Sequence, residues 1–353
     1  MQALLRKGIG LSIIIVSFLL GWQLWEYDLF KKRPLTVPEQ GQRINIRPGT
    51  PFKLVTRSLA DNGIIKKPYL LEWSARLQGK AAKIQAGEYQ IAHGMLPGEF
   101  LDMLVAGKVV QYSFTLVEGW NVRQLLAALK QNPDISQTLM SPDAGQLMHE
   151  LGLDKAHAEG WFFPDTYHFV RDTTDKALLQ RAYATMQKQL DEQWQQRAPG
   201  LPYSSPYEAL IMASIIEKET GVVEERQQIA GVFVRRLQKG MRLQTDPTVI
   251  YGIGETYDGN IRRKDLTTDT PYNTYTRGGL PPTPIAMPGL AAIHAALHPA
   301  QGDSLYFVAS GGGAHVFSAT LEQHNEAVIK YQLKGKRRAF SSHPEGKNNK
   351  GKP

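Results

Sequence analysis

The chain has 353 residues, of which 42% are hydrophobic and 21% charged, a composition typical of a globular protein with two or three domains. It has no cysteine, which excludes a disulfide framework, a thiolate metal site and a cysteine nucleophile. The formal net charge of +8 does not predict nucleic-acid binding, because the basic residues gather beside the amino-terminal apolar segment and in the carboxy-terminal tail. Contact with anionic lipid or wall polymer is the simpler explanation.

The amino terminus predicts a single membrane anchor. Residues 8–25 are apolar and have no small-x-small cleavage motif near their end. They are just long enough to cross about 30 Å of hydrocarbon, and three aromatic residues suit the interface: Trp22, Trp25 and Tyr27. Basic residues lie on both sides, so we take orientation from the short tail, residues 1–7, which favours a cytoplasmic start. A cleaved signal peptide is the alternative.

The segment after the anchor, residues 26–42, is predicted to be a polar linker that contains prolines. Residues 43–112 then predict strand, helix, helix and strand, with helices at 51–62 and 67–77 and the second strand at 87–91. This order resembles a LysM module. LysM modules bind the N-acetylglucosamine of cell-wall glycans, although many serve only as spacers.

A short repeat precedes two predicted helices. Gly49 follows a strand pattern and leads into helix 51–62, and Gly119 follows another strand pattern and leads into helix 121–132. The apolar positions of the two helices also correspond: Phe52 with Val122, Val55 with Leu125, and Leu59 with Leu129.

Residues 159–167, EGWFFPDTY, hold two candidate carboxylates, Glu159 and Asp165. Either could be a second catalytic group, but the aromatic residues and proline favour a packed turn, and an aspartate beside proline is most often a cap. We expect a structural role for Asp165. A charged helix, 175–197, follows.

Residues 205–221, SPYEALIMASIIEKETG, place one carboxylate on the apolar face of a predicted helix. The first four residues form a helix start, with a hydroxyl cap, a first-turn proline and a glutamate. Helical spacing puts Glu217 on the opposite face and Glu219 beside three apolar side chains, Met212, Ile215 and Ile216. Partial desolvation would raise the pKa of Glu219 and prepare it to donate a proton near neutral pH. The alternative is a solvated Glu-Lys-Glu surface.

The loops downstream are rich in hydroxyl, amide and tyrosine side chains at residues 241–252 and 269–279, which suits a sugar-binding groove.

Two other patterns favour structural roles. His294 and His298 have the spacing of zinc ligands but lack the glutamate of HExxH, and the triglycine at 311–313 favours a turn over a phosphate loop.

Four separated motifs resemble the MltG (YceG-like) endolytic murein transglycosylases: EGWFFPDTY at 159–167, ASIIEKET at 213–220, RLQTDPTVIYG at 242–252 and YNTY at 272–275. The resemblance also takes in GLPPTPIAMPG at 279–289 and HVF at 315–317, and it covers nearly the whole chain up to about residue 334.

The resemblance implies cleavage of the β-1,4 bond between N-acetylmuramic acid and N-acetylglucosamine within peptidoglycan strands, leaving a 1,6-anhydro end. Glycoside hydrolysis usually takes two carboxylates, and here only Glu219 is well placed. One carboxylate is enough if the nucleophile is the substrate's own C6 hydroxyl, since tethering gives it a very high effective concentration. Glu219 would act first as acid and then as base, with no metal or cofactor.

The resemblance also implies seven substrate-binding residues: Gln244, Thr245, Asp246, Tyr272, Asn273, Tyr275 and His315. The first three could bind N-acetyl groups or stabilise positive charge on the sugar ring, and the tyrosines could stack on sugar faces. Asp246 beside proline fits a helix cap equally well.

We therefore expect an α+β protein in which a LysM-like βααβ module, 43–112, precedes a mixed α/β catalytic domain, 113–334, and a disordered basic tail, 335–353. It would be a single-pass protein of the inner membrane with a periplasmic catalytic domain, acting on nascent glycan strands beside penicillin-binding proteins. The alternatives are a water-using muramidase, with Asp165 or Asp246 as second carboxylate, and a non-catalytic wall-binding scaffold.

Overall fold

The computed structural model describes residues 2–140 and 144–333, and within them the fold is mixed α and β, as predicted. The chain forms two compact units. The first extends to Ser113 and includes His168–Asp172, and the second holds Phe114–Tyr167 and the described chain from Thr173 onward. The predicted basic tail, 335–353, lies outside the described residues.

The first unit contains the predicted order of strand, helix, helix and strand, followed by one more helix. Its elements are α1 (Gln2–Lys32), β1 (Gln42–Ile46), α2 (Phe52–Asp61), α3 (Pro68–Leu77), β2 (Gly87–Ile91) and α4 (Pro97–Val105). Strands β1 and β2 are antiparallel, with Gln42 opposite Ile91 and Ile46 opposite Gly87. The LysM assignment stays a prediction.

The core of the first unit is built from the apolar faces of its helices and the inner side of its sheet. Fully buried side chains include Leu59, Leu71, Tyr89, Phe100 and Leu104. Burying each such side chain contributes about 1.5 to 3 kcal/mol to folding. This core therefore suffices to hold the two short strands together.

Helix α1 continues into the segment expected to be a linker. Residues 9–32 are long and apolar enough to cross a membrane, which is compatible with the predicted anchor. Near its end, the Tyr27 and Trp73 rings lie 5.1 Å apart, and the Tyr69 hydroxyl donates to Glu26 at 3.1 Å. The last turns of α1 are therefore packed against α3.

The residues that follow α1 are also packed. Leu35 and Val37 are buried in the core of the first unit, and the Leu35 amide donates to the Met95 carbonyl at 2.9 Å. This differs from the linker expected over 26–42. The charges and prolines favoured a linker, but the two alternating apolar side chains between them fill core space.

The remaining elements include a two-stranded sheet, a helical core and a carboxy-terminal hairpin. They are β3 (Tyr112–Thr115), α5 (Val122–Gln131), α6 (Ala144–Glu150), β4 (Thr166–Phe169), α7 (Asp175–Gln195), α8 (Pro206–Glu219), α9 (Arg226–Gln238), α10 (Asp246–Ile253), α11 (Arg263–Thr267), α12 (Leu290–Leu297), β5 (Tyr306–Gly311), β6 (Ala314–Ser318) and α13 (Leu321–Tyr331). Strand β3 pairs with β4, and β5 pairs with β6 in antiparallel fashion around the predicted glycine turn.

The predicted repeat is confirmed as local structure. Gly49 and Gly119 both adopt left-handed backbone angles, with φ of 78° and 76°, just before α2 and α5. Glycine reaches these angles without the steric cost of a Cβ atom. The predicted histidine pair is also structural: the His294 and His298 rings stack at 4.3 Å, and His294 Nδ1 lies 3.0 Å from Gln193 Oε1.

Candidate active site

A cavity of about 650 Å³ in the second unit brings together most of the predicted site residues. We call it the Glu219 cavity. Besides Glu219, the predicted residues that line it are Gln244, Thr245, Asp246, Tyr275 and His315. These side chains come from the end of α8, the start of α10, the loop after α11 and strand β6. Its size is that of an ordinary small-molecule or saccharide site.

Helix α8 positions the carboxyl of Glu219. The helix starts as predicted, with Pro206 in the first turn and the Ser205 hydroxyl accepting from the Glu208 amide, and it ends at Glu219. The predicted one-sided apolar stripe is wrong, however, because every residue from 209 to 216 is buried. Helices α7, α9, α10 and α12 pack around α8 and cover its other faces. Glu219 is therefore held by a rigid helix at the point where that helix leaves the core.

The surroundings of Glu219 favour its protonated form. Burial raises the pKa of this carboxyl to about 7, since a charge there loses hydration. The hydrogen bond from the Thr245 hydroxyl lowers the pKa, the negative charge of Asp246 raises it, and His315 and Arg236 lower it. The net result is a carboxyl that can donate or accept a proton near neutral pH.

Glu217 lies only two residues away but has a different environment. Its side chain is 5% exposed, and one oxygen lies 3.0 Å from Nη2 of Arg226, itself 6% exposed. Its other oxygen accepts from the Gly289 amide at 3.0 Å. Helical spacing predicted that Glu217 lies on the opposite face from Glu219, and that face is covered as well. The alternative of a solvated Glu-Lys-Glu surface is therefore wrong for Glu217. Glu217 is occupied by structural partners, whereas Glu219 faces the cavity.

The loop before α10 places Gln244 and Thr245 at the cavity. Thr245 is buried, its amide donates to the Thr274 hydroxyl at 3.1 Å, and the Thr248 hydroxyl donates to its carbonyl at 2.8 Å. Gln244 has a φ of 53°, an angle that residues other than glycine rarely adopt. Such strain persists where surrounding contacts over-determine the backbone, and it concentrates at functional sites.

Two substitutions of Gln244 separate the backbone conformation from the side chain. Gln244→Ala and Gln244→Gly both remove the side-chain carboxamide, so we expect the two variants to lose the same amount of substrate affinity. The glycine variant should be more stable than the alanine variant by about 1 kcal/mol, because only glycine adopts the left-handed angle without strain. Urea unfolding beside a binding assay checks both parts. Equal stability of the two variants would contradict backbone strain at residue 244. Unequal affinity would contradict substrate binding by the Gln244 carboxamide.

Three other predicted residues form connected walls of the cavity. The Tyr275 hydroxyl donates to Asp246 at 2.7 Å, which fixes the carboxylate near Glu219. The cap position of α10 is held by Thr245 and not by Asp246, which is the first helical residue; its side chain is exposed and lines the cavity. Nδ1 of His315 lies 2.7 Å from Oε2 of Glu225, and the backbone amide of His315 donates to the other oxygen of the same carboxylate at 2.9 Å. The histidine ring is therefore held in one orientation.

The structure does not bring the other two predicted residues to this cavity. Tyr272 lines a separate cavity, where its ring meets that of Tyr251 edge to face at 4.8 Å. Asn273 is buried, and its amide nitrogen donates to three carbonyls of its own loop, those of Asp265, Leu266 and Thr268. Its geometry is that of a loop-stabilising residue.

Sequence reasoning missed Arg236, a buried cation at the Glu219 cavity. Its guanidinium donates to the Leu243 carbonyl at 2.9 Å and to Oε1 of Gln244 at 3.3 Å. It thus fixes the strained loop. A signal was present, because Arg236 lies three, four and seven residues after apolar positions of α9: Phe233, Val232 and Ile229.

The chain is similar to known proteins over most of its length. Residues 44–330 match the YceG-like family. The chain belongs to this family. It is 33% identical over 310 residues to an endolytic murein transglycosylase of Bacillus subtilis (strain 168), covering 82% of this chain and 84% of that protein. It is 26% identical to an endolytic murein transglycosylase of Streptococcus pneumoniae (strain D39), covering 92% of this chain and 65% of the relative.

The fold of this YceG-like chain is also similar to a solved structure. The crystal structure of a yceG-like protein from Listeria monocytogenes matches with a TM-score of 0.50 at 28% identity. The match covers 82% of this chain and 99% of that one. The structural similarity therefore extends over most of the chain.

The two earlier carboxylates of this YceG-like chain lie outside the Glu219 cavity. Glu159 is buried, accepts from the Val122 amide at 3.1 Å and accepts from the Tyr251 hydroxyl at 3.0 Å. Burial raises its pKa to about 7. Asp165 is exposed and accepts from the neighbouring Thr166 amide at 2.7 Å, a local contact in keeping with the structural role expected for it.

Proposed function

We propose that this chain is an endolytic murein transglycosylase that uses Glu219 as its catalytic acid and base. The observation that carries the proposal is one desolvated carboxyl, with a pKa of about 7, facing a polar cavity at the end of a rigid helix. The activity carried in the names of the Bacillus and Streptococcus relatives supports the same reaction class.

The reaction needs one proton donor and no water. Glu219 donates its proton to the glycosidic oxygen as the bond from C1 of N-acetylmuramic acid to O4 of N-acetylglucosamine breaks. The C6 hydroxyl of the same muramic acid then attacks C1, and the Glu219 carboxylate takes the hydroxyl proton. The products are a 1,6-anhydro end and a free 4-hydroxyl, and Glu219 is protonated again. Tethering of the nucleophile makes a second activating carboxylate unnecessary.

The other cavity residues have supporting roles in this proposal. The Thr245 hydroxyl orients the Glu219 carboxyl, and Asp246 stabilises the positive charge that develops on the ring. Gln244 binds an N-acetyl group, while Tyr275 and His315 shape the groove. Tyr272 and Asn273 lie outside the groove and are not assigned to the reacting sugars.

The chemistry of the released ends tests the function. Purified sacculi digested with the protein should give fragments ending in 1,6-anhydro-N-acetylmuramic acid by mass spectrometry. A water-using muramidase would instead give reducing ends about 18 mass units heavier. A non-catalytic scaffold would release nothing, so each outcome separates one candidate from the others.

The raised pKa of Glu219 predicts the pH dependence of the reaction. The acid must be protonated before bond cleavage, and its pKa is about 7. We expect kcat/KM to be greatest below this value and to fall about tenfold for each pH unit above it. A steady-state pH profile on soluble glycan strands measures this. A rate that stays level up to pH 9 would contradict the assignment of the acid.

We infer that α1 anchors the protein in the cytoplasmic membrane with the rest of the chain outside. The apolar helix at 9–32 supports the anchor, and the murein activity in the names of the relatives supports a location of the remaining chain outside the membrane. Protease added to spheroplasts should degrade the part of the protein after the span. Full protection of that part would contradict the orientation.

A membrane-anchored site of this kind would act on nascent strands close to the bilayer, where cleavage ends their elongation. Its proposed partners are the peptidoglycan synthases known as penicillin-binding proteins. The βααβ order of the first unit supports a LysM-like contact with the same glycan. Crosslinking in cells from the first unit should capture a synthase, and repeated recovery of none would contradict the partnership.

A further inference from the structure

A second cavity in the second unit is not explained by the proposed reaction. It has a volume of about 670 Å³, and we call it the Glu159 cavity after the buried carboxyl in its wall. It shares two elements with the Glu219 cavity. Neighbouring residues of α8, Lys218 and Glu219, line different cavities, and α10 contributes Tyr251 to this one and Asp246 to the other.

The inner wall of the Glu159 cavity is aromatic and preorganised. The Tyr251 hydroxyl donates to Glu159 at 3.0 Å, and the Tyr272 hydroxyl lies 2.8 Å from that of Thr283. Both oxygen atoms of Glu159 also accept from the Val122 amide, at 3.1 and 3.3 Å. Since these polar groups already have partners, the tyrosines mainly offer ring surface to a ligand.

The outer wall of the cavity carries cations. Lys218 is exposed, and within the described part of the chain its ammonium makes one hydrogen bond, to the Gly119 carbonyl at 3.2 Å. An ammonium has three donors, so two can still reach a ligand. Arg123 also lines the cavity with its side chain 53% exposed, and it pairs with the more exposed Glu255 at 3.2 Å. The outer wall therefore offers two cations to anionic groups and one carboxylate to a cationic group.

This chemistry differs from that of a neutral sugar subsite. An uncharged saccharide would use the tyrosine rings and amides but would leave the cations without a function. A short peptide with carboxylates matches both walls, because cations bind carboxylates strongly and aromatic rings pack against peptide side chains. We propose that the Glu159 cavity binds the peptide carried by the murein strand, with Lys218 and Arg123 holding its carboxylates. The identity of this peptide rests on the proposed function.

Binding can be measured separately from cleavage. The probe is the free peptide released from purified sacculi by an amidase, titrated into full-length detergent-solubilised protein carrying Glu219→Gln. Lys218→Met in this background should weaken binding at least tenfold, and Lys218→Arg should retain most of it. The matched control is Lys188→Met on α7, whose side chain is 70% exposed and outside the cavity. Melting temperatures show whether each variant is folded.

The active protein provides the second measurement. Glycan strands with intact peptides should have a higher kcat/KM than strands stripped by the amidase, and Lys218→Met should lower kcat/KM at least tenfold more on the intact strands than on the stripped strands. The proposal is overturned if the free peptide does not bind, or if the Lys218 and Lys188 variants bind it equally. It is also overturned if Lys218→Met lowers kcat/KM equally on stripped and intact strands. Failure of the proposed function would appear instead as the absence of anhydro ends, which leaves the binding result intact.

Discussion

Glu219→Gln is expected to lower kcat on purified sacculi by roughly 10² to 10⁴, which corresponds to about 3 to 5 kcal/mol of barrier. Glutamine has the same size and still accepts from the Thr245 hydroxyl, but it has no proton to transfer. The assay is release of anhydro-ended fragments. The matched control is Glu224→Gln, an exposed glutamate five positions along the chain, which should keep the wild-type rate.

The same variant should change how stability depends on pH. Folding raises the pKa of Glu219 from 4.5 to about 7, so the folded state binds the proton more tightly than the unfolded state does. The free energy of unfolding of the wild type should therefore fall, relative to Glu219→Gln, as pH rises from 4.5 through 7. Urea unfolding at pH 5 and pH 8 measures this. A folded Glu219→Gln variant with full activity would assign the acid to another residue.

Arg226→Met should destabilise the second unit by about 3 to 5 kcal/mol, because it leaves the buried carboxyl of Glu217 without its cation. The two side chains are 6% and 5% exposed and lie 3.0 Å apart. Burial already raises the pKa of Glu217, and the positive charge of Arg226 opposes that rise. Removing the charge leaves the cost of burial uncompensated. The measurement is the urea midpoint.

The double variant Arg226→Met with Glu217→Gln provides the control. It removes both charges, so most of the lost stability should return, and the coupling energy between the two sites should exceed about 1 kcal/mol. Additive losses in the double variant would show that Arg226 acts through its packing rather than through Glu217.

Local features of this fold were predictable from sequence because they depend on neighbouring residues. The start of α8 follows from a serine, a proline and a glutamate within four positions, and the left-handed glycines before α2 and α5 follow from a short repeated pattern. The glycine turn between β5 and β6 is of the same kind. In each case the determining atoms lie within one turn of the chain.

Features set by distant packing were less predictable. Helical spacing alone predicted that α8 has one apolar face. In the structure four other helices cover α8, and the carboxyls of Glu217 and Glu219 are both buried. Glu219 and Thr245 are separated by 26 positions, and only the family resemblance, not any local pattern, indicated that they act together. Within one short loop, Tyr275 reaches the Glu219 cavity and Tyr272 lines the other. The direction of a loop side chain depends on the packing around it.

The uninterrupted path of α1 into the first unit affects more than attachment. Helix α1 has no break before Lys32, and contacts such as that of Tyr27 with Trp73 fix its last turns to α3. Each residue of an α-helix adds about 1.5 Å of rise and about 100° of rotation. One residue inserted after Trp25 would therefore turn the first unit by more than a quarter circle about the axis of α1. If α1 is the proposed anchor, its length and its phase would fix the rotation of the first unit as well as its height above the membrane.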